Sequence, residues 1–373
     1  MNLRLLKLSD RLISVFLSRL PKKISNKDHI DRVLVIKLSA MGDALCLMPS
    51  IRMFSVSFPS AKIDWLTTSR SAPDLFRPLG FLDNIIVMPT NLFGLIKFLL
   101  RYFFTLCKYD LIIDCDQYYQ ISELLSYFGK ASAGFKTPLK GSSFSFFEPY
   151  NESLNEKLQF KSLFELIILL YKGSSTSYEA LLPELIRNFE PSPQLLLAIN
   201  EANSIDRRLI ILYPGSSGNA SFRRWSFDNY LSLATELSKK YLIIFAGGPE
   251  EAVYKDRLCN EPYILDWINR WTLTEWSWIF RHHAAIFCGN DAGLLHIADL
   301  QGLKTVSIFG PNLSSRWGSL NSLSKAIEVP LSCRPCIKPH MGLVPINCHR
   351  GDVACLLNIN PGHVKNAIIS GLS

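Results

Sequence analysis

A chain of 373 residues that is 48% hydrophobic and 19% charged is globular and too long for one typical core, which excludes a disordered polypeptide. Its net charge of +8 favours an anionic partner, but the Lys and Arg residues are scattered rather than interleaved with aromatics, so no nucleic acid is expected as partner. Nine cysteines at irregular spacing exclude a secreted disulfide scaffold and point to a reducing, cytoplasmic setting.

The chain opens with LRLLKLSDRLISVFLSRLPKK, in which Leu5, Leu8, Leu12, Phe16 and Leu20 form one apolar stripe among Arg4, Lys7, Arg11, Arg19, Lys22 and Lys23. Residues 1–27 read as a basic amphipathic helix, lying on an anionic bilayer or packed on the body of the protein. Asp10 and Arg11 interrupt the apolar region that a signal peptide needs. Val33 to Leu38 reads as a strand buried on both faces. A small-residue turn with Gly42 then leads into Leu45, Met48, Ile51 and Phe54 at helical spacing. Strand, glycine turn and helix open a nucleotide-binding α/β domain, yet the G-x-G-x-x-G fingerprint is missing and Asp43 stands at the helix start. There it favours the helix dipole and repels a pyrophosphate. Two readings stay open: a capping residue, or a carboxylate presented at the carboxyl end of a strand, where α/β sites lie.

AKIDWLTT, DNIIVMP and YDLIIDCDQ are the next strands, and a long helix over 92–107 precedes the last of them. That helix carries Lys97 and Arg101, so it is amphipathic rather than a membrane span. Lys130, Lys136 and Lys140 follow the fourth strand; they suit the acidic groups of an acceptor, or a solvated surface. Residues 173–193 contain the boundary, and the pattern then restarts with RLIILYPGSS, FDNYLSLATELSKKY, LIIFAGGPEE, AAIFCGNDAGLLHIADLQG and KTVSIFGP. Strands separated by helical patterns give parallel sheets. The expected fold is α/β, with two Rossmann-like domains, 28–180 and 181–373, facing a central cleft.

Three loops of the second half share a chemistry. Ser216 and Ser217 in PGSSGNASFRRW let backbone amides approach phosphate oxygens, and Arg223 and Arg224 follow. Glu250 and Glu251 after GGP suit a ribose diol. Asp291, Gly293 and Leu294 mark a helix start whose N–H groups make an anion site, while His296 is a ligand or a packed helix residue. Together they indicate a nucleotide-diphosphate site. DCD at 114–116, at a strand end, looks like a D-x-D metal motif. In the tail segment 333–355, Cys333, Cys336, Cys348 and Cys355 form a C-x2-C-x11-C-x6-C group, which suits structural zinc or iron or is a set of metal-free thiols.

The motifs VLVIKLSAMGDAL…P, FPSAKIDWL, YPGSS…FRRW, FAGGPEE, GNDAGLLHIA and SIFGP, in order from about residue 33 to 310, resemble the bacterial heptosyltransferases, glycosyltransferase family nine. The resemblance implies the glycosyltransferase-B architecture, inversion at the anomeric carbon, ADP-heptose as donor and no cofactor for catalysis. It places the nucleotide on the C-terminal half, which frees the turn at Gly42 for the acceptor and Asp43 for the role of base. Arg223 stands where the family has a lysine on the donor phosphates. Asp291, Gly293, Leu294 and His296 match the family's D-[ST]-G-x-x-H element, with Ala292 in place of the hydroxyl residue. An inverting heptosyltransferase is expected, acting on a cell-envelope acceptor such as lipopolysaccharide core and touching the cytoplasmic face of the inner membrane. Alternatives are a member using another nucleotide-sugar or a protein acceptor, as in the metal-holding branch that modifies autotransporter adhesins, and a nucleotide-sugar-binding scaffold without turnover.

Overall fold

The computed structural model describes residue 17 and residues 29–117, 119–174, 176–216, 218–258 and 261–372. The expected N-terminal helix, apart from Leu17, and Ser217 lie outside the described residues. The chain divides into two compact units, Met1–Glu179 with Lys338–Leu343, and Ala180–Ile337 with Val344–Ser373.

In the first unit the elements are β1 (Arg32–Ile36), α1 (Met41–Ser57), β2 (Lys62–Thr67), β3 (Asn84–Val87), α2 (Leu92–Leu106), β4 (Leu111–Asp114), α3 (Gln120–Tyr127), β5 (Ala131–Lys136), β6 (Phe146–Pro149) and α4 (Glu156–Lys172). The strands pair in parallel in the order β3-β2-β1-β4-β5-β6. Helices on both faces explain the continuous apolar runs of β1 and β4, since every residue from Val33 to Ile36 and from Leu111 to Asp114 is buried. Helix α1 lies against α4, where Phe54 and Phe164 meet edge to face at 5.8 Å.

The second unit contains α5 (Pro193–Ser204), β7 (Leu209–Tyr213), α6 (Phe227–Leu237), β8 (Leu242–Phe245), β9 (Ile264–Asp266), α7 (Leu273–His282), β10 (Ile286–Asn290), α8 (Gly293–Leu300), β11 (Thr305–Phe309), α9 (Ser314–Trp317), β12 (Lys325–Glu328), α10 (Ala354–Leu357) and α11 (Pro361–Leu372). Its parallel order is β12-β11-β10-β7-β8-β9. Counted within each unit, both sheets run 3-2-1-4-5-6, the doubly wound order whose strand sequence reverses between strands 1 and 4. Those switch points are β1/β4 and β7/β10, and chemistry in such sheets gathers at the strands' carboxyl ends there.

Three strands, β6, β9 and β12, escape the sequence pattern because they are short and stand at the sheet edges; β5, six residues long and paired on both sides, escapes it because its run is small rather than bulky and apolar. In β5 the run ASAGFK is small for a reason: a Cβ on Gly134 would stand 2.5 Å from the Phe144 ring. The expectation that 181–373 is one domain needs correction, because Lys338–Leu343 belongs to the first unit. There His340 stacks on Tyr150 at 4.8 Å and pairs with Glu152 at 3.2 Å. Among the described residues no helix is long and apolar enough to cross a membrane.

Candidate active site at the two switch points

At the first switch point the backbone leaves β1 through Lys37 and turns into α1. Asp43 stands at the third position of that helix, and its Oδ2 accepts the Ala40 N–H at 2.8 Å. The capping reading therefore holds, as half of a capping box. The other oxygen, Oδ1, lies 3.9 Å from the Lys37 ammonium, and the side chain stays 19% exposed, so the carboxylate remains reachable. Gly42 sits beside it in the first turn, half-buried.

Lys37 was not anticipated as a site residue, and it organises this pole. Its side chain is 2% exposed and donates to Asp116 Oδ1 and Gln117 Oε1, both at 3.2 Å. Burial, the largest influence, pulls its basicity down, yet Asp43 and Asp116 together hold the ammonium above its ordinary value. Asp116 Oδ2 also accepts the Leu38 N–H at 2.9 Å. The network continues through Gln117 Nε2 to Glu156 at 3.1 Å and from Glu156 to the Tyr150 hydroxyl.

Each DCD carboxylate thus has a lysine. Asp114 is fully buried against Lys140 at 2.6 Å, and burial pushes its carboxyl up to about 6 against the pull of that cation. Lys140 also donates to the Tyr119 carbonyl and the Ser122 hydroxyl, so it is structural, which corrects its assignment to an acceptor. Lys130 is corrected too. It pairs at 2.8 Å with Asp110, whose other oxygen accepts the Asp31 and Arg32 N–H groups at the amino end of β1. That is the wrong edge of the sheet, roughly 15 Å from Asp43 by strand rise. Lys136 ends β5 at the carboxyl edge, exposed, with its ammonium over the Phe147 ring.

At the second switch point three loops converge on Asn290, the last residue of β10. Its Nδ2 donates to the carbonyls of Pro214 and Gly215, while its Oδ1 accepts from Trp225 N–H and the Tyr230 hydroxyl. This fully buried amide ties the PGSS, FRRW and GNDAG loops together, and sequence reasoning passed over it beside Asp291. Arg223 donates from one terminal nitrogen to both the carboxylate (2.6 Å) and the carbonyl of Asp291. Asp291 is buried, accepts from Asn312 as well, and has His296 Nε2 at 3.9 Å. His296 is itself buried in α8, with its ring 6.4 Å from that of Trp317. Ala292 caps α8 without a side-chain bond, and the N–H groups of Gly293 and Leu294 open the helix beside the guanidinium.

Arg224 turns the other way. It binds the Ser216 hydroxyl and carbonyl and pairs with Glu250 at 3.3 Å and Glu251 at 3.7 Å. Glu251 is 3% exposed, and its Oε2 accepts the Gly248 N–H. Its Oε1 has no hydrogen-bond partner among the described residues, and burial raises its carboxyl against the pull of Gly248 and Arg224. Glu250 is mostly exposed. Gly215 and Gly247 are needed for the approach of this carboxylate, since Cβ atoms there would meet Glu251 at 2.3 and 2.7 Å.

The metal expectation for the tail is not met. No group of three or more His, Cys, Asp or Glu side chains among the described residues is arranged to hold an ion. Cys355 is buried in the hydrophobic core with Trp225 and Val364, and Cys336 Sγ faces the Cys333 carbonyl at 3.1 Å. Burial, then the neighbouring Cys333 and Cys348, raise the Cys336 thiol, and burial likewise raises Cys355.

The sequence profile of Glycosyltransferase family 9 (heptosyltransferase) matches residues 106–343. Lipooligosaccharide heptosyltransferase 2 of Campylobacter jejuni subsp. jejuni serotype O:6 is 26% identical over 175 residues, 43% of this chain. The match spans about half the length of that relative, 51%. Among solved structures, the glycosyl transferase family 9 from Veillonella parvula superposes with a TM-score of 0.72 at 16% identity, covering 93% of this chain and 99% of that one. The E. coli heptosyltransferase WaaC with ADP gives 0.67 at 16% identity, covering 91% and 99%.

Proposed function

The chain belongs to glycosyltransferase family 9, the heptosyltransferases, and on that premise we propose that it transfers heptose from ADP-heptose to the core of a lipopolysaccharide. The observation that carries the reading is that each unit has a polar switch point of its own, positive in the second unit and holding a reachable carboxylate in the first. Arg223 and the α8 N-terminus gather positive charge at the β7/β10 switch point, and Asp43 waits at β1/β4.

In this reading the diphosphate sits against Arg223, Gly293 and Leu294, while the buried Oε1 of Glu251, without a hydrogen-bond partner among the described residues, is the oxygen left to accept from a ribose hydroxyl. Ser216 and Arg224 hold the loop between them, with Glu250 bracing Arg224 from the solvent side. Asp291 and His296 act behind the phosphates by fixing Arg223. The acceptor oxygen attacks the anomeric carbon as the bond to the diphosphate breaks. Its proton passes to the Asp43 carboxylate, and the electron pair departs on ADP, whose new charge Arg223 and the helix amides stabilise. Gly42 leaves room for the acceptor, and of the three lysines expected for it Lys136 is the one exposed on that edge. Contact with the cytoplasmic face of the inner membrane belongs to the same reading, because the acceptor is a lipid.

A thermal-shift panel of nucleotide-sugars tests the donor. A ligand at a hundred times its dissociation constant adds about 2.7 kcal/mol. ADP and ADP-heptose should stabilise, whereas UDP, GDP and CDP sugars should not; equal stabilisation by all, or by none, sinks the ADP assignment. Transfer of labelled heptose to core-truncated lipopolysaccharide then tests the acceptor.

A further inference from the structure

We propose that the outward face of α2 docks this protein on the surface of an anionic lipid bilayer. The idea rests on the membrane contact just proposed and names the surface that makes it.

Helix α2 is apolar on two opposite arcs. Phe98 and Leu106 are buried in a cluster with Leu34, Ile36 and Ile112, and Leu95, Leu99 and Tyr102 pack against it. That arc accounts for folding. On the other side Phe93 is 81% exposed, Leu100 74%, Phe104 75%, Ile96 50% and Phe103 41%. At 3.6 residues per turn these five fall within one arc of roughly 100°, so they form a stripe rather than scattered single side chains. A contiguous apolar patch that folding leaves in water marks a contact surface.

Charge selects the partner. Lys97 and Arg101 are exposed and, at helical spacing, stand together on one flank of the stripe, and the exposed Lys108 follows just past the helix end. Residues 89–109 contain no Asp or Glu. Bulky apolar side chains beside cations alone match an interfacial helix on anionic headgroups. At 15 residues α2 is roughly 22 Å long, too short to cross a hydrocarbon core of about 30 Å. A second copy of the chain fits less well in an antiparallel two-fold contact through this stripe, which would bring the Lys97–Arg101 flanks of both copies near each other, a like-charge arrangement that costs affinity.

The test uses the full chain and co-sedimentation with vesicles of phosphatidylglycerol and phosphatidylethanolamine, against vesicles of phosphatidylcholine alone. Wild-type protein should bind the anionic vesicles, more weakly as salt rises. The triple variant Phe93→Ser, Leu100→Ser, Phe104→Ser should lose at least about tenfold in partitioning, and Lys97→Glu with Arg101→Glu should abolish the preference for anionic lipid. Both should keep the wild-type circular dichroism and ADP-induced thermal shift, because the altered side chains are exposed. Wild-type protein that binds neither vesicle overturns the membrane contact itself. Wild-type binding that the triple variant retains overturns only the role of α2. Self-association lost in the triple variant, with vesicle binding kept, gives the face to a second copy and also overturns the proposal.

Discussion

One oxygen of the Asp43 carboxylate closes the first turn of α1, and the other, which faces Lys37, is the one left for the proposed role of base. Asp43→Asn keeps an oxygen for the Ala40 N–H, so the melting temperature should hold, while transfer falls by about a hundred to ten thousand-fold for want of a proton acceptor. Donor affinity should stay within about twofold, since the proposed donor site is on the other unit. Wild-type turnover in this variant would remove Asp43 from the mechanism. The two adjacent arginines should separate as clearly. Arg223→Ala should weaken ADP binding and turnover together, because in the proposed mechanism its charge meets the diphosphate before and after departure. Arg224→Ala loosens the Ser216 and Glu251 loops and should raise KM with a smaller effect on kcat. The reverse pattern in steady-state kinetics would assign the phosphate grip to Arg224.

At the level of elements, stability rests on loops that cross-tie neighbouring strands. Lys37 and Asp116, at 2% and 1% exposure, bind the end of β1 to the end of β4. Lys37→Met leaves a buried carboxylate without its cation and should cost about 3–5 kcal/mol in denaturant unfolding. Adding Asp116→Asn removes that carboxylate's charge, so the double variant should regain a large part of the stability while transfer stays impaired. A double variant no more stable than the single one would show that Asp116 is not the residue left stranded. The glycine loop after β7 gives a second test. Gly215→Ala drives a methyl group into Glu251 and the Tyr213 ring, whereas Gly248→Ala meets only Glu251 Oε2 at 3.8 Å. The first should weaken ADP binding by more than about tenfold and the second by less than about threefold, as titration calorimetry can read.

Across the whole molecule, the same doubly wound order occurs twice, and each unit has its own sheet and switch point. A nucleotide bound at β7/β10 stabilises the unit that holds it. Hydrogen exchange with saturating ADP should therefore slow mainly around 213–216, 223–225, 247–251 and 290–295. Protection centred on residues 37–43 and 114–117 instead would move the donor to the first unit.

Much of this was legible in sequence because its causes are local. A continuous apolar run, a glycine turn and a helical stripe within some thirty residues specify strand, loop and helix. That is why the α/β class and the family were legible, and why Asp43, Arg223 and the Asp291–Leu294 turn could be proposed from their places at strand ends. Short outer strands such as β9 and β12 lack that periodic signal. What the tertiary structure alone decided was which charges meet. Lys37 reaches Asp116 across 79 positions, Arg223 reaches Asp291 across 68, and Asn290 reaches Gly215 across 75. Lys130 and Lys140 looked alike as cations after a strand, yet strand direction and register put one at the wrong edge and buried the other against Asp114. Cysteine spacing suggested a shared ion, but among the described residues no three such side chains are arranged to hold one. Spacing along the chain fixes residue type and local shape; pairing and burial depend on strand order, which no local window contains.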